Sequence, residues 1–192
     1  MKQKKLFERT LEVLVNAFTA DKLVPGSFCS CAVGNMVAAA CGYRVEFIAF
    51  SCSNEEFYKL LTWMADEQTL VAAPEWHHVF YTTTSQKVYM DAYHGKAKKE
   101  IDKTGYDVYD LMAIEEAFEL ASRSGEDIDP MAGMSLLQRL NYTRERSYLG
   151  AMAVLQVLGQ IHELDVATLN KAKARFVVPT AVPEPLKAYI HD

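Results

Sequence analysis

Trp76-His77-His78-Val79-Phe80-Tyr81-Thr82, and after Thr83-Thr84-Ser85-Gln86 the run Lys87-Val88-Tyr89-Met90-Asp91-Ala92-Tyr93, decide the fold class of this chain. Both runs are rich in aromatic and β-branched side chains, and a short polar stretch separates them. That pattern predicts a β-hairpin. Upstream, Arg44-Val45-Glu46-Phe47-Ile48-Ala49-Phe50 alternates before turning apolar and supplies a third strand candidate. Between them, Ser53-Asn54-Glu55-Glu56 reads as a capping box for a helix lined by Phe57, Leu60, Leu61 and Met64.

Everything further out is helical in period. Phe7, Leu11, Leu14, Val15 and Phe18 recur at helical spacing, so a helix is expected from about Lys4 to Thr19, ended by the turn that Asp21-Lys22 and Pro25-Gly26 supply. A second runs from near Ser30 to Cys41, with Gly42 as its stop. Its residues fall in two stripes, Cys29/Val33/Val37/Ala40 and Cys31/Asn35/Ala38. With the first facing the core, Cys31 is the more accessible thiol.

Asp107 caps a helix carrying Leu111, Ile114, Phe118 and Ala121, which Ser124-Gly125 closes. Leu136, Leu137 and Leu140 suggest a short helix, Thr143 to Glu163 a separate long one, and Leu169 to Phe176 a last short one. Pro179, Pro183 and Pro185 then mark an extended tail. The expected fold is α+β and predominantly helical, with six or seven helices around a small two- or three-stranded antiparallel sheet. Residues 1–178 would form a single globular domain and 179–192 a Pro-rich C-terminal tail.

Half of the 192 residues are apolar, enough for one sizeable core. A formal charge of -5 argues against a nucleic-acid or anionic-membrane surface, which needs clustered Lys and Arg. The basic clusters Lys2-Gln3-Lys4-Lys5 and Lys96-Ala97-Lys98-Lys99 are short and read as solvated faces. No apolar run has the length of a membrane span, and the first residues lack the pattern of a cleaved leader. A cytoplasmic protein with reduced cysteines is the expectation, Cys41 and Cys52 serving as small core residues.

Gly26-Ser27-Phe28-Cys29-Ser30-Cys31-Ala32-Val33-Gly34-Asn35 is the stretch with the most chemical promise. It sets Cys29 and Cys31 in a turn that opens an apolar helix, where the helix dipole can favour a thiolate. His77 or His78 could hold the proton, and Asp91 could orient the imidazole. In order and layout this Cys–His–Asp set resembles the transglutaminase-like and papain-like fold, which implies a cysteine hydrolase or acyl transferase. Departures from that fold are visible: Gly42 comes a residue or two early, Asp91 is followed by Ala92-Tyr93, and no upstream Gln or Trp is placed as an oxyanion donor. The competing reading makes the cysteines core fillers and the histidines half-exposed strand residues.

Cys29, Cys31, Cys41, Cys52, His77 and His78 are zinc-ligand types, but their spacing fits no structural zinc site, and no metal or cofactor is expected. Asp107, Asp110, Glu115, Glu116 and Glu119 read as an exposed acidic helix face. There is no phosphate-cradling Gly-rich loop, nucleophile elbow or His-Glu-x-x-His.

Four stretches carry a second resemblance: Leu14-Val15-Asn16-Ala17-Phe18, Cys31-Ala32-Val33-Gly34-Asn35, Thr104-Gly105-Tyr106 leading to Ile114-Glu115-Glu116-Ala117-Phe118-Glu119, and Gly150 through His162. In order and content they resemble an uncharacterised group of proteins from gut Bacteroidota and their bacteriophages, over roughly residues 10 to 165. The resemblance implies a cytoplasmic product of a phage or mobile element and says nothing of an activity. The leading expectation is therefore a non-enzymatic interaction protein that binds a host or phage protein or itself. Leu186, Tyr189 and Ile190 in the tail offer a small apolar docking stripe.

Overall fold

The computed structural model describes residues 2–25, 31–42, 102–123, 131 and 133–187. Six helices lie among them: α1 (Lys2–Thr19), α2 (Ala32–Cys41), α3 (Val108–Ser122), α4 (Leu136–Ile161), α5 (Val166–Lys173) and α6 (Glu184–Lys187). Phe7, Leu11, Leu14 and Phe18 put one face of α1 into the core; Leu111, Ile114 and Phe118 do the same for α3, and Ala151, Val154, Leu155 and Leu158 for α4. Neighbours pack in the cycle α1–α2, α2–α3, α3–α4 and α4–α1, with α5 laid against α4. The result is a helical bundle closed around one apolar cluster.

The expected sheet is corrected by this arrangement. The described residues contain no strand and bury their apolar faces helix against helix, so among them the core is built from helices alone. The runs that suggested strands, 44–50, 77–82 and 87–93, lie outside the described residues, as does the helix expected after Ser53.

Two further readings change. The short helix at Leu136 and the long one from Thr143 are a single helix, α4, opened by a full capping box in which Gln138 N–H donates to Ser135 Oγ and Ser135 N–H donates to Gln138 Oε1. It runs unbroken through Asn141-Tyr142-Thr143 because Leu140, Arg144 and Ser147 continue its buried line. Helix α2 is not striped: Ala32 through Ala38 are all buried, since α1 and α3 flank it on both sides. Gly42 ends it with φ +77°, as its sequence position suggested.

Helices α3 and α4 pack tightly at Gly150. A Cβ there would lie 2.3 Å from Ser122 Oγ and 2.6 Å from the Phe118 ring. Asp165 caps α5 by accepting from the Thr168 N–H at 2.6 Å, and Leu169 packs onto Gly159. Among the described residues no helix is long and apolar enough to cross a membrane.

Candidate functional site

Cys31 is the one cysteine of the proposed catalytic set that the described residues include, and its position is the reverse of the accessible one expected. It is the N-cap of α2, fully buried, with its Sγ accepting from the Gly34 N–H at 3.2 Å. Opposite, α3 delivers Glu115 into the core, where its Oε2 accepts from the Val33 N–H at 3.2 Å. Glu115 was read as part of an exposed acidic face, yet only 7% of it is accessible. The signal was present in the period: Leu111, Glu115, Phe118 and Ser122 follow one another at helical spacing on the side of α3 that faces its neighbours.

The consequence for the thiol is electrostatic. The amide end of α2 carries the positive pole of the helix, which could stabilise a thiolate. Here a carboxylate already occupies that end. Burial pushes the Cys31 thiol well above its ordinary range; the Glu115 charge, and a hydrogen bond to that carboxyl, push it further the same way. The Gly34 N–H pulls in the other direction and is outweighed. Cys31 is built as a neutral cap, and its thiol and the Glu115 carboxyl together satisfy the first turn of α2. Asn35 completes the junction, donating from Nδ2 to the carbonyls of Lys22 and Cys31, each at 3.0 Å.

A second buried polar cluster joins three parts of the chain. Tyr106 Oη donates to Thr10 Oγ1 at 3.0 Å and lies 2.8 Å from His162 Nε2. His162 is the residue that ends α4, its backbone N–H donating to the Leu158 carbonyl, and its ring packs on Phe7 at 5.7 Å between centroids. Its Nδ1 is buried without a hydrogen-bond partner among the described residues. Burial lowers the His162 pKa from its ordinary value and pushes the Tyr106 phenol up to about 12. Both groups are therefore neutral at pH 7. Sequence reasoning did not single out His162 as a packing residue. Its position one turn beyond Leu158, continuing the buried line of α4, was the available sign.

The remaining candidates divide as follows. Cys29, His77, His78 and Asp91 lie outside the described residues, so no thiol–imidazole pair is brought together within them. Leu186 is buried in this chain, 1% exposed, while Tyr189 and Ile190 lie outside the described residues. The tail folds back through Ala181, whose carbonyl accepts from Arg144 Nη2 at 2.6 Å. Among the described residues no group of three or more His, Cys, Asp or Glu is placed to hold a metal ion. Comparison with family models, curated proteins and solved structures finds no match for this chain.

Proposed function

We propose that this chain is a non-enzymatic interaction protein of a phage or related mobile element, docking a protein partner through the outer face of α3. The observation that carries the reading is the two-sided character of that helix. Leu111, Ile114 and Phe118 fill its inner side, while Tyr109 and Leu120, three turns apart on the opposite side, are 49% and 58% exposed. Ala113 lies on the same outer line and is also exposed. Glu116 lies between Tyr109 and Leu120 on that line, so the face is a pair of exposed apolar side chains beside a charge, a composition suited to a protein partner. The setting of Cys31 supports the non-enzymatic half, because a buried neutral thiol beside a carboxylate is a poor nucleophile. The resemblance of residues 10 to 165 to the phage-associated group supports the setting.

The test pairs two measurements on the whole chain. Sedimentation and cross-linking with host or phage proteins are compared between the native chain and a Tyr109→Ser/Leu120→Lys double variant. Loss of association in the double variant supports the reading; a chain that stays monomeric and cross-links identically with and without the substitutions overturns it. Iodoacetamide labelling at pH 6, read residue by residue, addresses the rival cysteine chemistry. Labelling of Cys31 only on unfolding is the expected result, and rapid labelling of any cysteine in the folded chain would revive the enzyme.

A further inference from the structure

The exposed basic residues near the start of the chain share a groove with a distant segment. Gln3, Lys5, Leu6 and Arg9 of α1 form one wall of a groove of about 560 Å³, and Lys103 and Gly105 form the other. The groove thus gathers three cationic side chains, two from one face of α1 and one from a segment far away in sequence. No carboxylate lines it among the described residues. Glu8, next to Arg9 in sequence, reaches instead toward Arg175, with 3.7 Å between its Oε2 and the guanidinium.

Arg9 is held in place. Its Nη2 donates to the Thr104 carbonyl, which fixes the guanidinium against the turn and leaves its other N–H groups for a ligand. Gly105 makes this approach possible. With φ +87° and no Cβ, it sits where a side chain would meet Leu6 Cδ1 at 3.1 Å and Arg9 Nη2 at 3.5 Å.

Arg9 also lines a second cavity, of about 180 Å³, whose other walls are Val13, Met36, Ala39 and Ala40 on one side and Thr10 and Thr104 beside the guanidinium. One fixed guanidinium therefore stands between a cationic groove and a pocket whose far side is apolar. A ligand that fills both needs an anionic head and a compact apolar body. Three formal positive charges match a phosphate group, at about -1.5 to -2 near pH 7, better than a single carboxylate. Together the two volumes suit a small molecule, not a macromolecular surface.

We infer that this junction is a binding site for a small phosphate monoester carrying an apolar group. The Lys5–Arg9–Lys103 groove takes the phosphate, and the Val13–Met36–Ala39–Ala40 pocket takes the apolar part. This site is separate from the α3 face, and neither depends on the other.

Calorimetric titration of the full chain at fixed chloride concentration tests it, with phenyl phosphate, inorganic phosphate and benzoate as probes. Phenyl phosphate should bind saturably, inorganic phosphate more weakly, and benzoate weakest of all. Lys5→Gln/Lys103→Gln should weaken phenyl phosphate by roughly tenfold or more, the equivalent of one or two lost charge-assisted contacts. Both lysines are exposed, so the variant should keep the native melting temperature and can be read directly. Ala39→Leu, which fills the apolar pocket, should erase the preference for phenyl phosphate over inorganic phosphate. Non-saturable binding, unchanged affinity in the lysine variant, or benzoate binding as tightly as phenyl phosphate would each overturn the assignment.

Discussion

Arg144 grips Asp21 with both arms of its guanidinium: Nε donates to Oδ1 at 2.8 Å and Nη2 to Oδ2 at 2.7 Å, across 123 residues of chain. Both partners are largely withdrawn from water, with side chains 4% and 10% exposed. Asp21 also has φ +55°, a left-handed conformation unusual outside glycine but tolerated by Asp, and it forms the turn that ends α1. The pair thus fixes the end of α1 to the middle of α4. Through the Ala181 carbonyl, the same guanidinium pins the returning tail.

Removing one partner leaves a buried charge without its counter-ion. Arg144→Met or Asp21→Asn should each cost about 3–5 kcal/mol of unfolding free energy, the usual range for breaking a buried pair from one side. The double variant should lose less than the sum, because no lone charge remains. Urea unfolding of the four proteins measures the coupling. Additive losses would mean that the two residues contribute independently and that the pair is not what holds this junction.

The contact of α3 with α4 makes a prediction of opposite sign to helix propensity. Alanine is favoured over glycine in a helix interior by about 1 kcal/mol. At Gly150, however, the added methyl would lie 2.3 Å from Ser122 Oγ and 2.6 Å from Phe118 Cδ2, so the helices must separate. Gly150→Ala should therefore destabilise the chain by about 1–3 kcal/mol, as overpacked cores do. Adding Ser122→Ala should recover only part of this, since the Phe118 ring remains in the way. A Gly150→Ala protein that melts above the native one would show that α3 and α4 do not pack this tightly.

How far these features could be read beforehand follows from the range of each interaction. The ends of α1 and α2 were legible because local signals set them: the Phe7-Leu11-Leu14-Phe18 period, Gly42 and the turn before it. Asp107 was legible as a cap for the same reason, and its Oδ1 accepts from the Asp110 N–H at 2.8 Å. What failed was long-range. The break expected between Leu140 and Thr143 vanished because Arg144 is buried against Asp21, a partner no local window contains. Cys31 was placed on an accessible stripe because only its own helix was in view, while α3 supplies the side chain that buries it. Lys5 is exposed, as its solvated reading expected, but that Lys103 lines the same groove could not be seen from either segment alone. Cys31, Glu115 and Arg144 were thus misread because their partners come from a distant part of the chain.

The His162–Tyr106 contact carries a pH dependence whose sign can be worked out. Burial lowers the folded-state pKa of His162 below its ordinary 6.5, whereas the unfolded chain titrates at that ordinary value. Below pH 6.5 the unfolded state therefore binds more protons than the folded one, and stability falls as pH falls. The loss begins near pH 6.5 and levels off only below the depressed folded value. The groups around the ring do not reverse this sign. The Tyr106 phenol, held up to about 12, stays neutral throughout, and Thr10 and Phe7 carry no charge. Arg9 and Asp110 act on the Tyr106 phenol, with opposite charges. Glu163, the next residue in the chain, is exposed and has φ +50°. Urea midpoints measured from pH 7.5 down to 5 should decline for the native chain. In His162→Gln, which keeps a hydrogen-bonding group beside Tyr106 and cannot take up a proton, the decline should be flatter. Equal slopes in the two proteins would assign the acid sensitivity to another group and leave the imidazole as packing alone.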